Sequence, residues 1–300
     1  MSEAVLLACD WGTTQLRAWT LDARGGVVAA RDFPLGVSKL SPGEAQDVFK
    51  TQVRPALGAE RLPAVLCGMV GSALGWTIAP YAECPANMLD LASLMTRVAD
   101  DVWIVPGLRC DGVADAPDVM RGEETQVFGW IAGQPGRAVG RHLICHPGTH
   151  AKWILIENGC VVRFVTAMTG ELFAVLGRHS VLKSDAPADN DTAFDAGLGA
   201  AGDGGALAAR LFTARARVVG GGATPESTPS YLSGLLIGAE VASVPALLGA
   251  AMGEVVVLGD PHLCRLYRRA LERRGVAVQT FDGSSAARAG LFSLRPGACA

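Results

Sequence analysis

"CDWGTTQLRAW" (Cys9–Trp19) starts where a short apolar run ends and sets Asp10, Gly12, Thr13 and Thr14 within five positions. A strand that closes on an acid and turns on Gly-Thr-Thr fits two structures. One is a surface hairpin turn. The other is a loop whose glycine lets backbone N–H groups and threonine hydroxyls close on an anion. What separates them is whether the chain uses the device again.

It does, at "HPGTHAKW" from His146. "GTTQLRAWTLDARGGVV" and "GTHAKWILIENGCVV" run in parallel as turn, strand, turn, strand, and differ mainly by two residues in the second turn. The first copy predicts strands over 5–9, 16–21 and 27–31, and the second predicts the same three-strand pattern. Two Gly-Thr turns, Gly12-Thr13-Thr14 and Gly148-Thr149-His150, then read as the two jaws of a phosphate clamp. His146 and Pro147 stand where the first copy has Asp10 and Trp11, so the acid is not repeated. That pattern implies one metal site, with Asp10 holding Mg2+ directly or through water. Magnesium keeps several waters and takes only one or two carboxylates.

The 300 residues exceed one comfortable core and predict two domains. Half are hydrophobic and 18% charged, as in a globular chain. A net charge of −3 without a basic tract gives no general attraction to nucleic acid or to an anionic membrane. The opening MSEAVLLACDWG lacks a basic n-region, and no apolar run reads as long enough to span a bilayer. Eight cysteines are scattered without metal-type spacing, several of them inside apolar runs. These features predict a reduced, cytoplasmic protein that leaves room for a homo-oligomer.

Helices are expected over 43–57, 87–99, 123–132, 171–182, 192–217 and 231–248. Short strands are expected at 64–67 and 102–105, followed late in the chain by strand, glycine turn and helix in VVVLGDPHLCRLYRRALERRGV. Strands alternating with helices imply α/β layers. The two hairpin starts imply two similar domains facing a cleft, joined by the Gly-, Pro- and Arg-rich GQPGRAVGR. Gly220-Gly221-Gly222 lacks the Lys-Ser/Thr of a Walker loop and reads as a connector.

DWGTTQLRAW and HPGTHAKW are similar to the first and second phosphate loops of the sugar-kinase, heat-shock-protein-70 and actin superfamily. Within it the chain resembles the 2-dehydro-3-deoxygalactonokinase family. The blocks that carry this are CGMVGSALGW from Cys67, APYAECP from Ala79, VPG from Val105, DVMRGEETQ from Asp118, FVTAMTGELF from Phe164, YLSGLLIGAE from Tyr231 and VLGDPHLCRLY from Val257. The resemblance implies two actin-like (ribonuclease H-like) domains with an interdomain cleft that closes on substrate. Residues 1–133 would carry the sugar-acid site and 134–300 the nucleotide site, with ATP and Mg2+ as cofactors. The reaction implied is phosphorylation of 2-dehydro-3-deoxy-D-galactonate at its C6 hydroxyl.

Such kinases need a carboxylate that accepts the proton of the attacking hydroxyl, placed after a glycine at a helix start. That position is Glu123, after Gly122, where many relatives carry Asp. Glu124 competes with it, and both acids also suit a helix N-terminus. Arg17 and Lys152 fall where similar kinases place a base near the ATP phosphates, though either also reads as a solvated strand residue. For the sugar acid the resemblance offers Ser72, Trp76 and Tyr81, with Arg121 as a bidentate partner for the carboxylate and Thr169 from the second half. For the nucleoside it offers Gly259 in LGDPHL, with Gly234 and Gly238 in support. His142, His146, His179 and His262 form no metal-ligand motif and read as structural. Two rivals stay open: a kinase for the gluconate epimer of the acid, and a non-catalytic sugar sensor or nucleotide switch on the same fold.

Overall fold

The computed structural model describes residues 3–249 and 252–298; Cys299 lies outside them. The first three strands are β1 (Ala4–Trp11), β2 (Leu16–Asp22) and β3 (Val27–Phe33), paired antiparallel in turn. The Asp22 carboxylate tightens the second turn by accepting the Arg24 and Gly26 N–H groups at 2.9 and 2.8 Å. A helical run follows: α1 (Ala45–Val48), a wider π turn Phe49–Val53, and α2 (Arg54–Ala56). The chain then returns as β4 (Ala64–Gly68), buried throughout and parallel to β1.

Past β4 come β5 (Tyr81–Glu83), α3 (Met88–Ser93), β6 (Thr96–Ala99), β7 (Val102–Ile104), β8 (Gly107–Asp111), β9 (Pro117–Met120) and α4 (Glu123–Ala132). The first large sheet has the order β3-β2-β1-β4-β7-β6, and β5-β8-β9 form a small one. The helix expected over 87–99 is half that length. Asn87 and Asp90 close a capping box that starts α3. Thr96 and Val98 then leave the helix for an edge strand, β6, which runs antiparallel to β7.

The second half opens with β10 (Arg141–His146), β11 (Ala151–Glu157) and β12 (Cys160–Ala167). Asn158 and Gly159 turn β11 into β12, both with positive φ. Then come α5 (Thr169–His179), α6 (Asp191–Ala201), α7 (Leu207–Val219), α8 (Thr228–Ser243), β13 (Glu254–Gly259), α9 (Pro261–Glu272), β14 (Ala277–Asp282) and α10 (Gly283–Ser293). The helix expected over 192–217 is two, α6 and α7, broken at the positive-φ glycines Gly202 and Gly204. The second sheet has the order β12-β11-β10-β13-β14. It repeats β3-β2-β1-β4-β7: a three-strand hairpin array followed by two parallel crossover strands. The duplication read from the two Gly-Thr turns therefore extends through five strands of each sheet.

The described chain forms two compact units. One takes the chain up to Arg141, the hairpin tip Ile156–Arg163 and everything from Gly283 on; the other takes His142–Leu155 and Phe164–Asp282. A single boundary after residue 133 differs from this because α10 packs on α4. Their backbones approach so closely at Gly129 and Gly290 that a Cβ on either would stand 1.8 or 2.0 Å from a carbonyl oxygen of the other helix. The core of the first unit gathers Leu7, Cys9, Trp11, Phe49, Leu66 and Ile104; that of the second gathers Cys145, Trp153, Val257 and Tyr267. Pro225–Leu248 is long and apolar enough, by length and composition alone, to cross a membrane, and 67% of its most apolar 18-residue window is buried inside the protein. Its apolarity serves the core of the second unit.

Candidate active site

In the first unit the site is built on the carboxyl ends of β1 and β4 and the start of α4. Asp10 is the next-to-last residue of β1. Its register partners are Arg17 on β2 and Cys67 on β4, and Arg17 is in turn opposite Asp32 on β3. Register partners share a sheet face, so Asp32, Arg17, Asp10 and Cys67 form one polar row across four strands. Burial pushes the Asp10 carboxyl up to about 6; Arg17 pulls it down, Glu123 pushes it further up and the Cys67 thiol, 3.8 Å away, lowers it.

Two glycines let α4 reach this row. Gly68 ends β4 with φ 89°, and Gly122 precedes α4 with φ 112°, a region that side chains rarely adopt. A Cβ on Gly68 would stand 2.8 Å from the Trp11 carbonyl and 3.4 Å from Asp10 Oδ1, and one on Gly122 would stand 3.2 Å from Gly68 Cα. The close approach brings the first residue of α4, Glu123, near enough to act on Asp10's titration.

The two neighbouring acids of α4 part here. Glu124 is fully buried; its Oε2 accepts the Gly122 N–H at 2.6 Å and its Oε1 the Thr125 hydroxyl at 2.9 Å. Burial, reinforced by Glu123, pushes its carboxyl up to about 8, against the pull of those two hydrogen bonds. Glu123 is only half-buried, and its Oε2 accepts the Arg121 backbone N–H at 3.1 Å. Of the two, Glu123 is the carboxylate a substrate can reach.

The first Gly-Thr turn is held from behind. Gly12 N–H donates to the Gln15 carbonyl at 2.9 Å, and the Val37 and Ser38 N–H groups donate to the Gly12 and Thr13 carbonyls. Thr13 and Thr14 are exposed. Arg121 carries an unusual guanidinium. Its Nη2 donates to the Ala79 carbonyl at 2.7 Å and it lies 4.3 Å over the Tyr81 ring, while buried Nε and Nη1 have no hydrogen-bond partner. Tyr81, offered as a face for the sugar, is the platform for this guanidinium. Two other candidates are committed elsewhere. The Ser72 hydroxyl donates to the Met69 carbonyl at 2.7 Å to close a turn, and Trp76 packs on Phe49 at the core, ring centroids 5.6 Å apart.

In the second unit Gly148, Thr149 and His150 form the loop between β10 and β11, with Thr149 and His150 exposed. The start of α5 lies on it: the Glu171 N–H donates to the Thr149 carbonyl at 2.9 Å, and His150 Nε2 meets the Glu171 carboxylate. Gly259 ends β13 beside β10, within contact distance of Pro147. Lys152 is buried in β11, where its ammonium donates to the Thr166 hydroxyl at 2.8 Å. The Thr169 hydroxyl is turned inward to Glu240. Gly234 and Gly238 serve helix packing, since a Cβ on Gly234 would stand 2.1 Å from the Phe194 carbonyl and one on Gly238 2.7 Å from the Ala201 side chain.

Next to this loop a cavity of about 110 Å3 is walled by Gly148, Gly170, Phe173, Leu236, His262 and Leu266, among others. A second, of about 240 Å3, continues past Phe173 and Ala188. An apolar slot beside a phosphate-type loop suits a nucleoside. The sequence reading named Gly148 but missed the helical walls, which come from α5, α8 and α9 and share no spacing, and it missed Gly68, whose place at the end of an apolar strand was a usable signal.

A family model described as 2-keto-3-deoxy-galactonokinase matches residues 10–294. The chain belongs to the 2-keto-3-deoxy-galactonokinase family. A 2-dehydro-3-deoxygalactonokinase of Escherichia coli (strain K12) is 37% identical over 290 residues, which cover 96% of each chain. A crystal structure from Sinorhizobium meliloti, provisionally described as the same enzyme, superposes with a TM-score of 0.85 at 36% identity, covering 96% of this chain and 97% of that one. A carbohydrate kinase from Novosphingobium aromaticivorans, 12% identical, matches with a TM-score of 0.50 over 99% of this chain and 92% of its own, a likeness of fold alone. The fold is the actin-like α/β architecture of sugar kinases, and membership in the family makes the chain an ATP-dependent phosphotransferase acting on a small sugar-type substrate.

Proposed function

We propose that the protein transfers the γ-phosphoryl group of ATP to the C6 hydroxyl of 2-dehydro-3-deoxy-D-galactonate, giving the 6-phosphate and ADP. The observation that carries this reading is the pairing of a reachable carboxylate, Glu123, with Asp10 across the Gly68–Gly122 contact. Glu123 accepts the hydroxyl proton as the C6 oxygen bonds to the γ-phosphorus and the bond from that phosphorus to the β-γ bridging oxygen breaks. The Arg121 N–H fixes one Glu123 oxygen and leaves the other for the substrate.

Asp10 fits a magnesium site of the kind that uses one protein carboxylate, water and phosphate oxygens. No cluster of three or more acidic, histidine or cysteine ligands occurs among the described residues. When bound, the ion would neutralise charge on the phosphates. Arg17, opposite Asp10, adds a second positive charge on the same face. Each Gly-Thr turn would donate N–H and hydroxyl groups to phosphate oxygens, and within the second unit the slot beside Gly148 would take the nucleoside. A Cβ on Gly148 would meet nothing of the protein closer than 4.0 Å, so the space it leaves is open to a ligand. The two unpartnered Arg121 donors suit the substrate carboxylate, since buried donors gain most when an acceptor arrives. Use of ATP and a sugar acid suits a cytoplasmic enzyme.

The test is ADP release measured across a panel of 2-keto-3-deoxy sugar acids, with phosphorus NMR locating the ester. Turnover of the galactonate acid to its 6-phosphate is expected, with kcat falling about 1,000-fold in Glu123→Gln. A protein that binds ATP and turns over none of the acids would overturn the reading in favour of a nucleotide switch.

A further inference from the structure

Away from the residues just assigned to the reaction, a carboxylate, Glu240, is buried on α8. Three donors from three other elements converge on it. Trp153 Nε1 on β11 donates to Oε1 at 2.7 Å, and the Tyr267 hydroxyl on α9 donates to Oε2 at 2.7 Å. The third is the hydroxyl of Thr169, the first residue of α5, which neighbours both Glu240 and the Tyr267 hydroxyl. Burial pushes the carboxyl up while all three hydrogen bonds pull it back.

A buried acid is costly to keep, so its partners indicate what it secures. Trp153 and Tyr267 would be held by the core without it. Thr169 is different, because the two residues after it lie on the second Gly-Thr loop. A Cβ on Gly170 would stand 2.4 Å from the Gly148 carbonyl and 2.8 Å from Thr149 Cα, and the Glu171 N–H donates to the Thr149 carbonyl. Thr169 and Tyr267 also wall the 110 Å3 slot beside that loop. The chain of contact thus runs from Glu240 through Thr169 and Gly170 to Gly148 and Thr149, with Glu240 itself out of reach of any ligand.

We infer that Glu240 is a positioning residue for nucleotide binding: it anchors the first residue of α5 so that Gly170 fixes the backbone of the Gly148–Thr149 loop, and it acts on the nucleotide and not on the sugar acid. This rests on the reading of that loop as a phosphate loop. Glu240→Ala strands three buried donors and frees the start of α5. Glu240→Gln keeps an oxygen for Trp153 Nε1, which can only donate, and offers an amide N–H to the two hydroxyls, which can accept.

The test is ADP binding by calorimetry on the full chain, alongside KM for ATP and for the sugar acid. ADP affinity is expected to fall about 10-fold in Glu240→Ala as the loop loses its anchored geometry, with KM for ATP rising in parallel. KM for the sugar acid should stay within about twofold, and Glu240→Gln should recover most of the loss. A folded Glu240→Ala protein that binds ADP like the parent, or loses both ligands equally, overturns the inference. Should that variant fail to fold, Thr169→Val cuts the same link with the carboxylate retained; weakened ADP binding supports the inference and unchanged binding overturns it. A parent protein that binds ADP yet phosphorylates no sugar acid sinks the proposed function while leaving the Glu240 comparison readable.

Discussion

Gly68 and Gly122 meet at the centre of the candidate site, each in a positive-φ conformation, with Gly68 also set against the Trp11 carbonyl and the Asp10 carboxylate. Gly68→Ala would place a Cβ 2.8 Å from Trp11 O on a backbone with φ 89°. The strain should cost about 1–3 kcal/mol of stability, read as a lowered denaturation midpoint. Relief requires the end of β4 to move off β1, which shifts the Gly122 turn packed on Gly68 and displaces Glu123 relative to Asp10. A fall in kcat larger than the rise in either KM is therefore expected, and steady-state kinetics on the folded fraction check it.

Glu124, beside the reachable Glu123, makes a separate prediction about pH. Its carboxyl is raised from 4.5 to about 8 by burial, so between those values the folded chain holds a proton that the unfolded chain has released. Its contribution to stability is complete below the lower value and is lost as pH rises through the upper one. Glu124→Gln removes this dependence while keeping an acceptor for the Gly122 N–H. Relative to the parent, the variant should gain in Tm as pH rises from about 5 to about 9, with the two melting curves compared at each pH. Turnover should survive, in contrast to Glu123→Gln.

Arg121 predicts a split between the two substrates. Removing its guanidinium should raise KM for the sugar acid by about 10- to 100-fold, the scale of hydrogen bonds to a charged group, with KM for ATP unchanged. Arg121→Lys should not rescue, because an ammonium offers neither the planar fork nor the stacking on Tyr81. Equal loss for both substrates, measured in the same coupled assay, would count against a carboxylate contact.

The parts of the fold that were legible in the sequence are those set by local backbone chemistry. Both Gly-Thr turns, the Asn158-Gly159 hairpin and the strands flanking them followed from residue type and alternation. The small sheet β5-β8-β9 did not, because strands of three to five residues carry too little periodicity. Nor did the return of α10 to α4, which depends on glycines far apart in the chain. The site divides in the same way. The placement of Asp10 at a strand end and of Gly122-Glu123 at a helix start was legible because both depend on neighbours in sequence. Ser72, Trp76, Lys152 and Thr169 were of suitable type, but their polar atoms or rings are engaged by Met69, Phe49, Thr166 and Glu240, mostly distant partners that no spacing announces.

Gly148 offers the sharpest separation of fold from function. Its φ is not in the left-handed region, and a Cβ there would meet no protein atom nearer than 4.0 Å. The folded chain therefore has no steric need for glycine at this position. Gly148→Ala should fold as stably as the parent, within about 0.5 kcal/mol, the range of substitutions that disturb nothing. The methyl group would instead occupy the space over which phosphate oxygens approach the loop's N–H groups. KM for ATP should rise by about 10-fold or more, the scale of one lost charge-assisted hydrogen bond, with the denaturation midpoint unmoved. Unchanged kinetics in that variant would mean that the second Gly-Thr turn does not hold the nucleotide, and its likeness to the first would then be one of hairpin architecture alone.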